Sequence, residues 1–336
     1  MKCCDGCFKD RFLAENIRLR SSESGACDFC GTQDARLIDP TELADSFELV
    51  CGIYDAGEEG RQLVDWLIED WQIFAVDRAQ AQNLLVEVLD DGERARQLYV
   101  PSADCASDRL DSWVKLRDEL RTQNRFFPHT EFNEARVASL LESLKMPAAD
   151  IPALWYRARI EDETGSIPAE KMGAPPARKA TAGRANPAGI PYLYVGSERS
   201  TAITEVRPHP GEKLTIAEFS LDAGLELIDL RKPRQLITPF TMEDVLQVAG
   251  LRGDIDFLER LGEELTTPVL PNAAAIDYIP SQYLCEFIKK TGYDGVVYAS
   301  SVSDGVNLAL FDPERAHVGT TSRVSIGRVG IEFSEV

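Results

Sequence analysis

No uninterrupted apolar run in the 336-residue sequence is long enough to cross a bilayer, so a membrane-spanning role is not expected. No apolar signal core follows the opening Met1-Lys2-Cys3-Cys4-Asp5, which argues against secretion and makes the cytoplasm the expected location. There is no basic excess either. The formal charge of −20 opposes the counterion release on which broad nucleic-acid binding depends, leaving at most a local basic groove. No Walker loop and no GxGxxG occur, so neither a P-loop NTPase nor a redox dinucleotide domain is indicated. Coiled-coil and repeat signals are missing as well. What remains is a globular composition, 44% hydrophobic, with enough chain for two modest domains and a sizeable core.

Eight cysteines are present and four are patterned. Cys4-x2-Cys7 and Cys27-x2-Cys30 enclose nineteen residues, a spacing that suits a four-thiolate zinc site. Each pair lies in a tight glycine-containing turn, CDGC and CDFCG, which lets two sulfurs face one tetrahedral ion. Cys3 could stand in for Cys4 only by breaking the two-residue spacer. A reducing compartment disfavours the disulfide alternative. Four protein ligands close such a site, so its role would be structural. Cys51, Cys105 and Cys285 read as core fillers.

From Asp39 the pattern turns helical. Asp39-Pro40-Thr41-Glu42 offers an N-cap, a first-turn proline and a capping-box glutamate, and Asp77 with Gln80 caps a second helix. Leu63, Trp66, Leu67 and Trp71 recur at helical spacing, as do apolar residues over 110–120 and 137–144. Together these predict a bundle of five helices. The segment 145–153, KMPAADIPA, reads as a domain boundary.

Beyond it, Leu154–Ile160 is strand-like and places Arg157 and Arg159 on one face, where burial would be costly without an anion. Residues 161–191 form a long Gly/Pro/Ala-rich loop, read as a lid or binding loop. Strands are predicted at Tyr192–Val195, Leu214–Leu221 and Leu225–Leu230, and an acidic helix over Met242–Leu265 whose charges serve solvation. A further helix over Pro280–Lys290 ends at Gly292. It feeds a strand that delivers Ser300. After Gly319 the tail alternates like a strand pair.

Along this half of the chain, GRANPAG from Gly183, LYVGS, AITE ending at Glu205, YASS with Ser300, and GVNLALF with Asn307 occur in order. In that order they resemble the RES domain, from about Leu154 to Phe311. Ala185 departs from the family, where a bulkier residue is common. The resemblance implies a fold related to ADP-ribosyltransferases and bacterial toxins that destroy NAD. The expected class is therefore α+β, with a zinc knuckle over 1–38 and a helical bundle over 39–148. A mixed α/β RES domain over 152–318 and a strand-like tail over 319–336 complete it. The N-terminal region resembles the HEPN-type helical domain attached to RES domains. Its nearest counterpart of the HEPN RNase pair, Arg125 and His129, has Pro128 between, which disfavours a helical RNase motif; a recognition or regulatory module is expected instead.

Carried onto this sequence, the resemblance implies catalytic roles for Arg184, Glu205, Tyr194 and Ser300, and substrate-binding roles for Arg157, Asn186 and Asn307. NAD would be the substrate. Glu205 would steady the cation that forms as nicotinamide leaves, the arginines would hold phosphate, and Tyr194 would stack on nicotinamide. Water or inorganic phosphate would accept the ADP-ribosyl group, giving hydrolysis or phosphorolysis. A transferase acting on a macromolecule, or a binding protein without turnover, are the alternatives. Implied partners are a helix-turn-helix antitoxin or other regulator, and a second copy of the chain, since family members often dimerise. A toxin–antitoxin or anti-phage role would follow.

Overall fold

The computed structural model describes residues 1–270 and 272–330. It is a mixed α+β protein whose chain forms two compact units. Met1–Asp111 with Pro233–Leu258 makes the first, and Ser112–Lys232 with Glu259–Val336 the second.

In the first unit, β1 (Cys3–Cys4), β2 (Glu23–Gly25) and β3 (Ala35–Ile38) form a small antiparallel sheet with β3 in the centre. Helix Arg11–Arg20 starts where the Asp10 carboxylate accepts from Leu13 N at 2.8 Å, satisfying one of the free amides of the first turn. The expected capping box at Asp77 and Gln80 is present and opens helix Arg78–Leu89. The one expected at Asp39 is incomplete. Asp39 accepts from Thr41 N, but Glu42 turns to Arg20 at 3.1 Å, and the segment opens as a 3-10 turn before helix Ala44–Cys51. β4 (Tyr54–Gln62) and β5 (Leu98–Pro101) pair antiparallel, flanking helices Leu63–Trp71 and Arg78–Leu89, where only helices were expected.

The returning segment is fastened to this unit by buried polar and aromatic contacts. Arg252 donates to both oxygens of Asp70, at 2.6 and 3.1 Å, and Tyr54 Oη donates to the same carboxylate at 2.8 Å. Phe240 packs on Phe47 with ring centroids 5.2 Å apart. The predicted single helix over Met242–Leu265 is two, Val245–Gly253 and Ile255–Thr266, separated by Asp254. Asp254 is fully buried and paired with Arg109, so the charge there is structural rather than solvating.

The second unit is built on a seven-stranded sheet. Its strands are β6 (Trp155–Ile160), β7 (Leu193–Gly196), β8 (Lys213–Leu221), β9 (Leu227–Asp229), β10 (Gly295–Ala299), β11 (Val306–Leu310) and β12 (Ala316–Ser325). They are ordered β12-β8-β6-β7-β11-β10-β9, antiparallel throughout except for β9 with β10. Alternation along the strands gives two apolar faces. Trp155, Leu193, Val195, Phe219 and Leu308 fill one. Ala158, Leu214 and Ile216 fill the other, beneath Ala202 of helix Arg199–Glu205.

Segment 145–153 lies within this unit: Met146 N donates to Leu227 O at 2.8 Å. Helix Glu134–Ser143 belongs here too, with Tyr293 Oη on Glu142 at 2.8 Å. Phe132 packs against both Trp113 and Phe287, centroids 5.9 and 5.4 Å away. The two compact units change over near residues 111, 232 and 258, so segment 145–153 lies inside the second. Of the expected terminal strand pair, β12 is one strand, residues 326–330 have no regular structure, and the remainder lies outside the described residues.

Strand β12 is held to its neighbours through Glu161. Its carboxylate takes Arg323 Nε and Nη2 at 2.9 and 2.6 Å and Thr215 Oγ1 at 2.7 Å. Arg323 first, then Thr215, holds the Glu161 carboxyl down to about 2. A depressed carboxylate stabilises the fold above its unfolded pKa and loses that contribution as pH falls through the folded value. Stability should therefore drop between about pH 4 and about pH 2. Glu161→Gln should flatten that limb in urea melts across the acid range, and an unchanged limb would contradict the assignment.

Candidate functional site

The cavity of the second unit begins where two strands part. β6 and β7 pair at one position only, Tyr156 with Gly196. A side chain at Gly196 would approach Ala202 N and Thr201 to 3.1 Å, so the glycine lets helix Arg199–Glu205 close on the strand end. Past that pair the strands diverge, and the residues that would have faced one another line a cavity of about 340 Å³ instead: Arg157 and Ala158 on β6, Tyr194 and Val195 on β7. Its volume falls in the range of small-molecule sites.

Glu205 ends helix Arg199–Glu205 and is reached from two strands. Its Oε1 accepts from Ser300 Oγ at 2.7 Å and from Asn307 Nδ2 at 2.6 Å. Ser300 follows the last residue of β10, and Asn307 sits in β11 beside it, so one antiparallel pair delivers both donors. Glu205 and Asn307 line the cavity, and Ser300 stands behind the carboxylate. Two donors on one oxygen fix the carboxylate's orientation. That is how a carboxylate aimed at a developing cation is pre-organised.

Arg157 faces the cavity from β6, and its buried Nη1 has no hydrogen-bond partner among the described residues. Burial, then repulsion from Arg159, pushes its guanidinium down to about 10, still charged at neutral pH. Arg159, on the same strand face, spends Nη2 on Gly173 O at 2.7 Å. A charged group with a buried, unpaired donor makes Arg157 a candidate anion-binding residue.

The loop before β7 is tied down from inside. Tyr194 Oη donates to Asn186 Oδ1 at 2.7 Å and accepts from Ala185 N at 3.0 Å. Asn186 Nδ2 in turn reaches the carbonyls of Thr181, Pro187 and Ile190, at 3.1, 2.9 and 2.8 Å. Asn186 is thus occupied in shaping the loop and is not among the cavity-lining residues. A side chain at Gly183 would come within 2.6 Å of Asn186 Oδ1 and 2.7 Å of the Tyr194 hydroxyl, so only glycine fits this clamp. Burial raises the Tyr194 phenol well above its ordinary range, which leaves it a neutral hydrogen-bonding group. The clamp presents Arg184 to the cavity, with its guanidinium carbon 5.5 Å from the centroid of the Tyr278 ring.

Six of the seven expected site residues therefore converge in or directly behind one cavity, and Asn186 supports the loop beside it. Three cavity tyrosines, Tyr156, Tyr278 and Tyr298, were not among the expected site residues. Tyr298, almost fully buried, lies two residues before Ser300 and shares its strand face, a period-two signal that could have been read. Tyr278 carries no such signal.

Against known proteins, the family model described as RES domain matches residues 154–328, more than half of the chain. The chain belongs to the RES domain family. A search of curated proteins finds no match. Among solved structures, a chain of the M. tuberculosis MbcT–MbcA toxin–antitoxin complex matches at 11% identity, covering 56% of this chain and 92% of that one. Its TM-score is 0.32, too low for the likeness to bear on activity or partners here. The matched RES region contains every residue of the cavity.

Outside the RES region, Cys4, Cys7, Cys27 and Cys30 form a cluster that could hold a metal ion, their sulfurs all within 4.8 Å of one another. Cys4 and Cys30 Sγ are 3.4 Å apart, as are those of Cys7 and Cys27. Zinc–sulfur bonds of about 2.3 Å in a tetrahedron require sulfurs about 3.8 Å apart, so a small outward shift admits the ion. Cys3, also buried, is not part of the cluster. Arg125 and His129 lie in the non-helical stretch between helices Arg109–Thr122 and Glu134–Ser143.

The unpaired Arg157 guanidinium leads to a direct expectation. Inorganic pyrophosphate should raise the melting temperature by satisfying it, whereas Arg157→Met should melt no lower than the parent and lose most of that rise. An undiminished pyrophosphate shift in Arg157→Met, read by differential scanning fluorimetry, would remove Arg157 from the anion site.

Proposed function

We propose that this RES domain degrades NAD by cleaving the bond between nicotinamide and ribose. The observation that carries the reading is the Glu205 carboxylate, held by Ser300 and Asn307 at a cavity that also contains Arg157 and Arg184. Nicotinamide in NAD is a pyridinium. When the C–N bond breaks, its electron pair returns to the ring nitrogen, nicotinamide leaves neutral, and positive charge develops on the ribose. A fixed carboxylate opposite that carbon lowers the barrier because its stabilisation grows as the charge forms. The guanidiniums would hold the diphosphate and keep the dinucleotide bent. The neutral phenols of Tyr194 and Tyr298 would wall the nicotinamide pocket and limit water.

An oxygen nucleophile completes the reaction. Water would yield ADP-ribose and a proton; inorganic phosphate would yield ADP-ribose-1″-phosphate. Such an enzyme stops growth unless restrained. We accordingly read the chain as a toxin or growth-arrest effector acting in the cytoplasm. Its restraint would be an antitoxin or the chain's own N-terminal region, read as HEPN-type. We assign zinc to the four-cysteine cluster, as a structural ion.

The decisive measurement is product analysis on the full chain with NAD, with and without phosphate, resolved by chromatography. Nicotinamide should appear together with ADP-ribose or its 1″-phosphate. Glu205→Ala should lower the rate by about 10²- to 10³-fold, the loss typical of removing one pre-organised electrostatic group. Intact NAD under both conditions, or turnover unaffected by Glu205→Ala, would defeat the reading. ADP-ribose attached to protein or nucleic acid would instead identify a transferase.

The zinc assignment is tested separately. Elemental analysis should find about one zinc per chain, and Cys7→Ser should release it with loss of thermal stability. Well under one zinc per chain in protein grown with ample metal would overturn it.

A further inference from the structure

Arg184 sits on a loop with no α-helix or β-strand between Ile160 and Leu193, an unpromising place for a side chain that must meet a diphosphate accurately. Yet the guanidinium is held on two sides. Nη1 donates to Thr267 O at 2.6 Å. That carbonyl lies at the end of helix Ile255–Thr266, whose last turn carries partial negative charge. The guanidinium carbon also lies over the Tyr278 ring, 5.5 Å from its centroid. The loop backbone is gripped from the same side. Ser281 Oγ donates to Arg184 O at 2.6 Å, and Gln282 Nε2 donates to Gly183 O at 2.8 Å.

These residues sit at or beside the start of helix Ile279–Lys290, and Tyr278 is its N-cap. One helix start thus supplies the ring beside the guanidinium and the side chains that hold its backbone. Opposite it, the Asn186–Tyr194 clamp holds the other side of the same loop. Only Tyr278 among the three lines the cavity.

We propose that Tyr278, backed by Ser281 and Gln282, is the positioning device for Arg184 and thereby sets the affinity of the site for a diphosphate-bearing ligand. The proposal deepens the NAD reading and rests on it for the substrate, but its physical content concerns pyrophosphate recognition alone. A flexible arginine loses side-chain freedom when it binds phosphate. One already seated over a ring and anchored has lost it beforehand, so more of the interaction shows as affinity. The contribution is to binding of the ground state and the transition state alike, so it belongs in KM rather than kcat.

Two readouts on the full chain test this: steady-state NAD consumption, and calorimetric binding of inorganic pyrophosphate, which needs no turnover. Tyr278→Leu should raise KM for NAD and weaken pyrophosphate binding by about 5- to 10-fold each, while kcat falls by less than about threefold. Tyr278→Phe keeps a ring face and should recover most of the loss. Ser281→Ala with Gln282→Leu should act in the same direction. In an Arg184→Ala background, Tyr278→Leu should weaken pyrophosphate binding no further, because the group it positions has gone.

The proposal is overturned if Tyr278→Leu binds pyrophosphate as the parent does, or if its effect persists undiminished without Arg184. A loss in kcat at constant KM, or a Tyr278→Phe as impaired as Tyr278→Leu, would also overturn it. Failure of the NAD reading looks different: no nicotinamide from the parent chain, with pyrophosphate binding and its dependence on Tyr278 intact.

Discussion

Strands β6 and β7 share a single paired position, and the candidate site depends on that economy of pairing. Had Arg157 and Ala158 met Val195 and Tyr194 across a regular ladder, the sheet would have been continuous and no space would remain between them. Divergence converts four positions of a would-be ladder into cavity wall. It needs a close contact at the point of parting, which Gly196 permits by letting the backbone of helix Arg199–Glu205 approach. Glu205, at the far end of that short helix, then arrives beside β10 and β11.

Around this opening the polar groups divide into two kinds. Glu205, Ser300 and Asn307 form a satisfied network in which a carboxylate has its donors. Arg157 is the opposite, a buried donor left open. Satisfied groups give geometry, and unsatisfied groups give affinity for whatever completes them. The proposed NAD reading rests on this combination of a held carboxylate and an open guanidinium in one cavity.

Local chemistry was the part of the fold most open to reading. The capping box of Asp77 and Gln80 formed because both partners lie within one turn and nothing competes. The one at Asp39 did not complete, because Arg20, far off in sequence, drew Glu42 away. Tyr54–Gln62 is polar and glycine-containing, without strand alternation, and its partner Leu98–Pro101 lies beyond two helices, so β4 and β5 left no legible trace. The helix expected through Leu265 breaks at Asp254, where burial against Arg109 outweighs helical periodicity. Asn186 reads in the sequence like a ligand-binding residue, but its amide is used up on loop carbonyls and Tyr194.

The sequence alone determined the residue types and their order: two cysteine pairs at metal spacing, a strand with alternating arginines, GRANPAG, AITE, YASS and GVNLALF. Each is a local statement, because spacing within a few residues dictates which side chains share a turn or a strand face. Only tertiary structure decided that Ser300 and Asn307, 95 and 102 residues beyond Glu205, reach the same carboxylate oxygen. It alone placed Tyr278 against Arg184, joined Pro233–Leu258 to the first unit, and opened the gap between β6 and β7. Such contacts arise from strand order and packing, which join residues far apart in sequence. No periodicity within a short window carries that information.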